Sequence, residues 1–114
     1  TWMGNLEAMH LACAIDIKVA ERRRHEVQQL IAQMNEQMWI GHFDLSPDDG
    51  MVMFRHALVL TGGLDATDEQ CKAVLGTALD TCERYFPAFQ FVLWAGKSAR
   101  EALDAAMFET SGEA

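Results

Sequence analysis

The stretch WIGHFDLSPDDGMVMFRHALVL, Trp39 to Leu60, decides the fold. Apolar-rich runs flank Ser46-Pro47-Asp48-Asp49-Gly50. Pro47 presets φ, Asp48 and Asp49 can bond their own backbone, and Gly50 takes φ > 0 at no steric cost. The whole reads as a β-hairpin. A loop centred on Asp48 places Phe43 opposite Met53 and His42 opposite Phe54. One face then carries Trp39, Gly41, Phe43, Leu45, Met51, Met53, Arg55 and Ala57. The other carries Ile40, His42, Asp44, Val52, Phe54, His56, Leu58 and Leu60. Both faces are substantially apolar, the pattern of a sheet covered on both sides.

Outward from the hairpin, Leu6 to Val19 alternates. Met9, Leu11, Cys13, Ile15, Ile17 and Val19 share one face, and Ala8, His10, Ala12, Ala14, Asp16 and Lys18 the other. Period two with the large residues on one side predicts a half-buried strand. From Ala20 to Met38 the period changes. Val27, Leu30, Ile31, Met34 and Met38 form an amphipathic helix stripe. The charged cluster Glu21 to Glu26 reads as solvated first turns, with Glu26 at helical spacing from Arg22 and Arg23.

Thr61-Gly62-Gly63 ends the hairpin. Thr67 with Gln70 forms a capping box that starts a helix. Cys71, Val74, Leu75, Ala78, Leu79, Cys82, Tyr85 and Phe86 keep its period. Pro87 predicts a kink, followed by a second segment through Phe89, Val92 and Trp94 that Gly96 ends. Ser98 with Glu101 is a second capping box, opening a short helix with Leu103, Ala106 and Met107 inward. Fraying is expected from Glu109. The predicted core joins Phe54 and Leu58 with Ile15, Leu30, Val74 and Leu79.

Composition narrows the function. At 114 residues the chain suits one domain with one core. A net charge of −8, from 17 acidic and 9 basic residues, argues against nucleic acid and anionic membrane as partners. No window approaches the roughly 18 apolar residues of a membrane span. Cys13, Cys71 and Cys82 contain no CxxC and cannot all pair, which suits a reducing cytoplasm. The seven methionines read as core filling.

The motif candidates fail on spacing. Gly96-Lys97-Ser98 resembles the end of a phosphate-binding loop, but Phe91 stands where that motif needs Gly. Counted from Asp44 as a calcium loop, the sixth position is Asp49 and the twelfth Arg55, where Gly and Glu are required. His42, Asp44 and His56 are candidate metal ligands without a visible fourth. Cys71 and Cys82 lie about 16 Å apart along one helix and cannot bond each other. No catalytic or cofactor-binding residue is assigned.

Ala20-Glu21-Arg22-Arg23, Leu30-Ile31-Ala32-Gln33-Met34-Asn35, Gly41-His42-Phe43-Asp44-Leu45, Phe54-Arg55-His56 and Cys82-Glu83-Arg84-Tyr85-Phe86-Pro87-Ala88 resemble the YbjN-type family of bacterial sensory-transduction regulators. Trp94 to Leu103, WAGKSAREAL, is similar to its proteobacterial branch. The resemblance implies an α+β fold like that of type III secretion chaperones: helix, three strands, helix, two strands, helix. The chain departs in lacking the first helix and one or two strands. It is therefore expected to be residues 1–114 of a single such domain, truncated at the N-terminus. The expected architecture is an antiparallel sheet of about three strands with helices on one face. The family implies no enzymatic activity and no cofactor. The expected function is a non-enzymatic cytoplasmic regulatory or chaperone-like module that contacts a protein partner. A small-molecule or metal sensor built on His42, Asp44 and His56 is the alternative. The expected interaction face comprises Trp39, Phe43, Met53, Ala12 and Ala14, and a homodimer would use it or the open strand edge beside it.

Overall fold

The computed structural model describes the backbone of residues 2–3, 7–62 and 65–112, and the side chains of residues 7–62 and 65–108. Leu6 and Gly63, named above at the ends of expected elements, lie outside the described residues. In chain order the elements are β1 (Trp2–Met3), β2 (Ala8–Lys18), a 3-10 turn (Glu21–Arg23), α1 (Arg24–Gln37), β3 (His42–Leu45), β4 (Met51–Val59), α2 (Asp68–Leu93) and α3 (Ala99–Gly112). The sheet is antiparallel, in the order β1-β2-β4-β3. Three strands build it, and the two-residue β1 touches one edge. The fold is the expected α+β one, with the helices packed on a single face of the sheet.

β2 follows its alternation. Ile15 and Ile17 are buried, Leu11 and Cys13 are half-buried, and Ala12, Ala14, Asp16 and Lys18 are exposed. Its ladder with β4 is regular from Ala8 to Ile15 and irregular between Ile15 and Lys18. α1 buries Val27, Leu30, Ile31 and Met34, the expected stripe.

The hairpin register differs from the one centred on Asp48. Phe43 lies opposite Phe54, Leu45 opposite Val52 and His42 opposite Arg55. The Ser46 N–H donates to the Met51 carbonyl at 2.8 Å, leaving Pro47 to Gly50 as the loop, with Gly50 at φ 72°. Strand side chains alternate, so this one-residue slip turns all of β3 over. Burial explains the choice. The observed register joins Phe43 and Leu45 with Val52 and Phe54 beneath the helices, and leaves His42 and Asp44 outside. Trp39, Ile40 and Gly41 are not strand at all. Gly41 sits at φ 74°, against the edge of the Phe54 ring.

Phe43 is the centre of the core. Its ring meets Phe54, Tyr85 and Phe89 edge-on, at centroid distances of 5.6, 5.8 and 5.5 Å. Such pairs contribute about 0.5–1.5 kcal/mol each beyond area burial.

α2 begins at the Thr67–Gln70 capping box, in which both reciprocal hydrogen bonds are present. It continues as one helix through Pro87, so the expected second segment is part of the first. Pro87 removes one ladder donor, and Ala88, Phe89 and Val92 just beyond it are buried. That burial holds the helical path. Of the predicted core, Phe54, Ile15 and Leu30 are buried and Leu58 and Val74 half-buried, whereas Leu79 is 50 % exposed. Leu75, one turn earlier on α2, is equally exposed, so among the described residues no layer covers this stripe. The Ser98–Glu101 box opens α3, which buries Leu103 and Ala106. The α3 backbone stays helical to Gly112, beyond the fraying point expected at Glu109.

The charged segment before α1 ties elements together. Arg23 donates to the Val92 carbonyl at 2.9 Å, near the C-terminus of α2 where carbonyls lack helical partners. Arg24 donates to the Pro47 carbonyl at 2.7 Å. Glu26 accepts the Ala99 N–H at the start of α3 instead of pairing with Arg22 or Arg23. An acidic group is favoured there by the helix dipole.

Candidate interaction surface

The sheet face away from the helices is built from alternate residues of β2, β3 and β4. Ala12 lies opposite Arg55, which lies opposite His42; Ala14 lies opposite Met53, which lies opposite Asp44. Ala12 and Ala14 are exposed and Met53 is half-buried, so three of the expected face residues share this surface. Phe43 does not. It is fully buried under the helices, because the register carries it to the other side. Trp39 is fully exposed in the α1–β3 connection, off the sheet. The face is therefore less apolar than expected. It has a small-residue floor beside a polar border.

That border is electrostatically closed on itself. The Asp44 carboxylate meets His42 Nε2 at 3.1 Å and Arg55 Nε at 3.0 Å. Arg55 also reaches the Met53 sulfur at 3.7 Å. These side chains are about half exposed, and such pairs contribute little to stability. His56 follows Arg55 on β4 and so points to the opposite face, opposite Leu11. The proposed ligands His42, Asp44 and His56 are thus not brought together. Among the described residues no group of three or more His, Cys, Asp or Glu converges as a metal site.

The other motif candidates serve the backbone. Asp49 accepts the Met51 N–H at 3.0 Å. That bond, then one from Ser46, holds its carboxyl below the usual range. Gly96, at φ 68°, and the Ser98 box form the joint between α2 and α3. Among the described helices none is long and apolar enough to cross a membrane.

The sheet's two edges are treated differently. On β3, Asn35 of α1 closes the edge: its Oδ1 accepts the Phe43 N–H at 2.9 Å and its Nδ2 donates to the Phe43 carbonyl at 3.1 Å. On β2, the described residues of β1 pair with Ala8 and Met9. The Leu60 N–H donates to the Glu7 carbonyl at 2.7 Å, which sets the parity of the strand. Odd-numbered residues direct their main-chain groups to β4, and Ala12 and Ala14 direct theirs away from the sheet. Shallow grooves run between this edge and α2. One of about 250 Å³ is lined by Cys13, Ile15, Cys82 and Phe86 among others. Another of about 190 Å³ is lined by Met9, Leu11, Val74 and Leu75 among others. Burial, followed by the neighbouring Cys13, pushes the Cys82 thiol up to about 12. Cys71, at the start of the helical stripe, is exposed.

Sequence reasoning assigned Ala12 and Ala14 to an outward surface but missed the asymmetry of the edges. The only advance signal was the amide of Asn35 on the otherwise apolar side of α1.

No curated protein and no solved structure matches the chain. A family model does, over residues 1–91: YbjN, described as "Putative bacterial sensory transduction regulator". Spanning most of the 114 residues, that match shows that the chain belongs to the YbjN family.

Proposed function

We propose that the chain is a non-enzymatic, cytoplasmic protein-interaction module, regulatory or chaperone-like in action, that works as a homodimer on a protein client. The observation that carries this reading is the pair of exposed leucines of α2, Leu75 and Leu79, beside the outer edge of β2, where no described residue pairs with Ala12 or Ala14. Unpaired strand edges are templates for another chain, and a groove beside an edge gives side-chain selectivity. The exposed Trp39 and the Ala12–Ala14 floor with Met53 extend the contact surface. The charged cluster of the open face neutralises itself around Asp44, which favours a contact role over proton transfer. The net charge of −8 favours protein over nucleic acid as partner.

The test combines ligand content with contact mapping. Native mass spectrometry and elemental analysis of the purified chain should show no stoichiometric small molecule or metal. A photo-reactive amino acid at position 14 should crosslink a protein in the producing bacterium, and the same group at exposed position 25 should not. A stoichiometric ligand, together with equal labelling from both positions, overturns the reading in favour of a sensor domain.

A further inference from the structure

We propose that Cys13 of β2 and Cys82 of α2 are an oxidisable pair, which a small hydroperoxide converts into a disulfide that staples α2 to the sheet. Cys13 lies opposite Phe54 in the β2–β4 ladder and is directed, like Leu11 and Ile15, toward the helices. Cys82 lies on α2 one turn after buried Ala78 and one turn before half-buried Phe86. Both cysteines are half-buried, both pack against the same core, and both line the same groove of about 250 Å³. The two thiols are within hydrogen-bonding reach of each other. Either one alone is an ordinary small core side chain; side by side they are the two halves of a disulfide.

The fold creates this pair against the order of the chain. Cys71 is much nearer to Cys82 in sequence than Cys13 is, so an unfolded chain closes the Cys71–Cys82 loop at lower entropic cost. The folded chain forbids that bond. Cys71 is exposed near the start of α2, about 16 Å from Cys82 along the helix axis. Cys13 reaches Cys82 across the joint between sheet and helix instead. The loop that their disulfide would close encloses α1, β3 and β4.

The two thiols have different parts in the reaction. The thiolate is the nucleophile, and burial keeps Cys82 protonated, its thiol pushed up to about 12. The first attack therefore falls to Cys13. Its thiolate attacks one oxygen of hydrogen peroxide; the S–O bond forms, the O–O bond breaks, and the departing hydroxide takes a proton to become water. Cys13 is now a sulfenic acid. The Cys82 sulfur attacks the Cys13 sulfur; the S–S bond forms, the S–O bond breaks, and hydroxide leaves with the Cys82 proton as a second water. The thiols together give up two electrons and two protons, and the peroxide is reduced to two waters. In a reducing compartment the pair rests as thiols, and exchange with a dithiol restores them.

Peptide mapping tests the pair on the wild-type chain. The folded chain is treated with hydrogen peroxide, free thiols are blocked with N-ethylmaleimide, and the digest is read by mass spectrometry without reduction. The Cys13–Cys82 peptide should be the main intramolecular product, and dithiothreitol should abolish it. The same treatment in denaturing urea should shift the product toward Cys71–Cys82. The urea midpoint of the oxidised chain should rise, because the cross-link restricts the unfolded state. Dimedone should label Cys13 in Cys82→Ser and leave Cys82 unlabelled in Cys13→Ser at neutral pH. If either variant does not fold, the wild-type map decides. Absence of the Cys13–Cys82 peptide from the folded chain, or the same product ratio with and without urea, overturns the pair. A Cys13–Cys82 bond with an unchanged or lowered midpoint overturns the staple, and dimedone on Cys82 instead of Cys13 overturns the assigned order of attack.

Discussion

Asn35 holds both main-chain polar groups of Phe43, accepting its N–H at 2.9 Å and donating to its carbonyl at 3.1 Å. One amide side chain stands in for the next strand of the sheet. It also ties α1 to the strand whose aromatic ring centres the core. Asn35→Ala leaves a part-buried donor and acceptor unmatched, and a loss of about 1–3 kcal/mol is expected. Urea unfolding measures it. Asn35→Asp keeps the acceptor and loses the donor, so its loss at neutral pH should concern the Phe43 carbonyl. A wild-type midpoint for Asn35→Ala would show that water replaces the amide and that the edge is not closed by it.

Phe43 and Phe54 face each other across the hairpin and are both fully buried. Phe43→Ala and Phe54→Ala should each cost about 3–5 kcal/mol. Leu79→Ala, at a half-exposed position, should cost far less. Denaturant unfolding of the three variants ranks them. Equal losses for Phe43→Ala and Leu79→Ala would contradict the observed register, since the alternative one places Phe43 outside.

Two glycines should respond with opposite signs. At Gly41, φ is 74° and an added Cβ would lie 2.3 Å from Cζ of Phe54. Gly41→Ala carries the left-handed penalty of about 1–2 kcal/mol plus displacement of a core ring. At Gly76, inside α2, an added Cβ meets nothing within 4 Å. Gly76→Ala should stabilise by about 0.5–1 kcal/mol through helix propensity and reduced unfolded-state entropy. Thermal melts distinguish them, and a stabilised Gly41→Ala would refute the contact with Phe54.

Acid should loosen two local structures before the core. Glu101 is held below its ordinary 4.5 by bonds to the Ser98 side chain and backbone. Asp49 is held below 3.8 by the Met51 N–H and then Ser46. A depressed carboxyl stabilises fully above its unfolded value, and that contribution disappears as pH falls through the folded one. The Ser98 and Met51 amide resonances should therefore be constant above pH 4.5 and move below it, at midpoints under the ordinary values. Midpoints at or above the ordinary values would show the carboxylates to be free.

Periodicity was sufficient where a residue's environment depends on its own element. The alternation of β2, the α1 stripe and both capping boxes are local patterns, and the structure contains each of them. The family, too, was legible in runs such as Gly41-His42-Phe43-Asp44-Leu45, and the match over residues 1–91 shows it. The hairpin register was not legible. Turn chemistry at Ser46 to Gly50 allows loops differing by one residue, and only the shared burial of Phe43, Phe54, Tyr85 and Phe89 selects between them. That selection moved Phe43 from the expected interaction face to the centre of the core. The continuity of α2 through Pro87 and the exposure of Leu79 are likewise tertiary outcomes. The first follows from burial of the turns beyond the proline, and the second from the lack of any described residue that covers this stripe of α2. The contrast between an edge closed by Asn35 and an edge where no described residue pairs with Ala12 and Ala14 depends on which strands become neighbours. A strand's own residues determine which main-chain groups face outward, but only the assembled sheet decides whether anything is there to meet them.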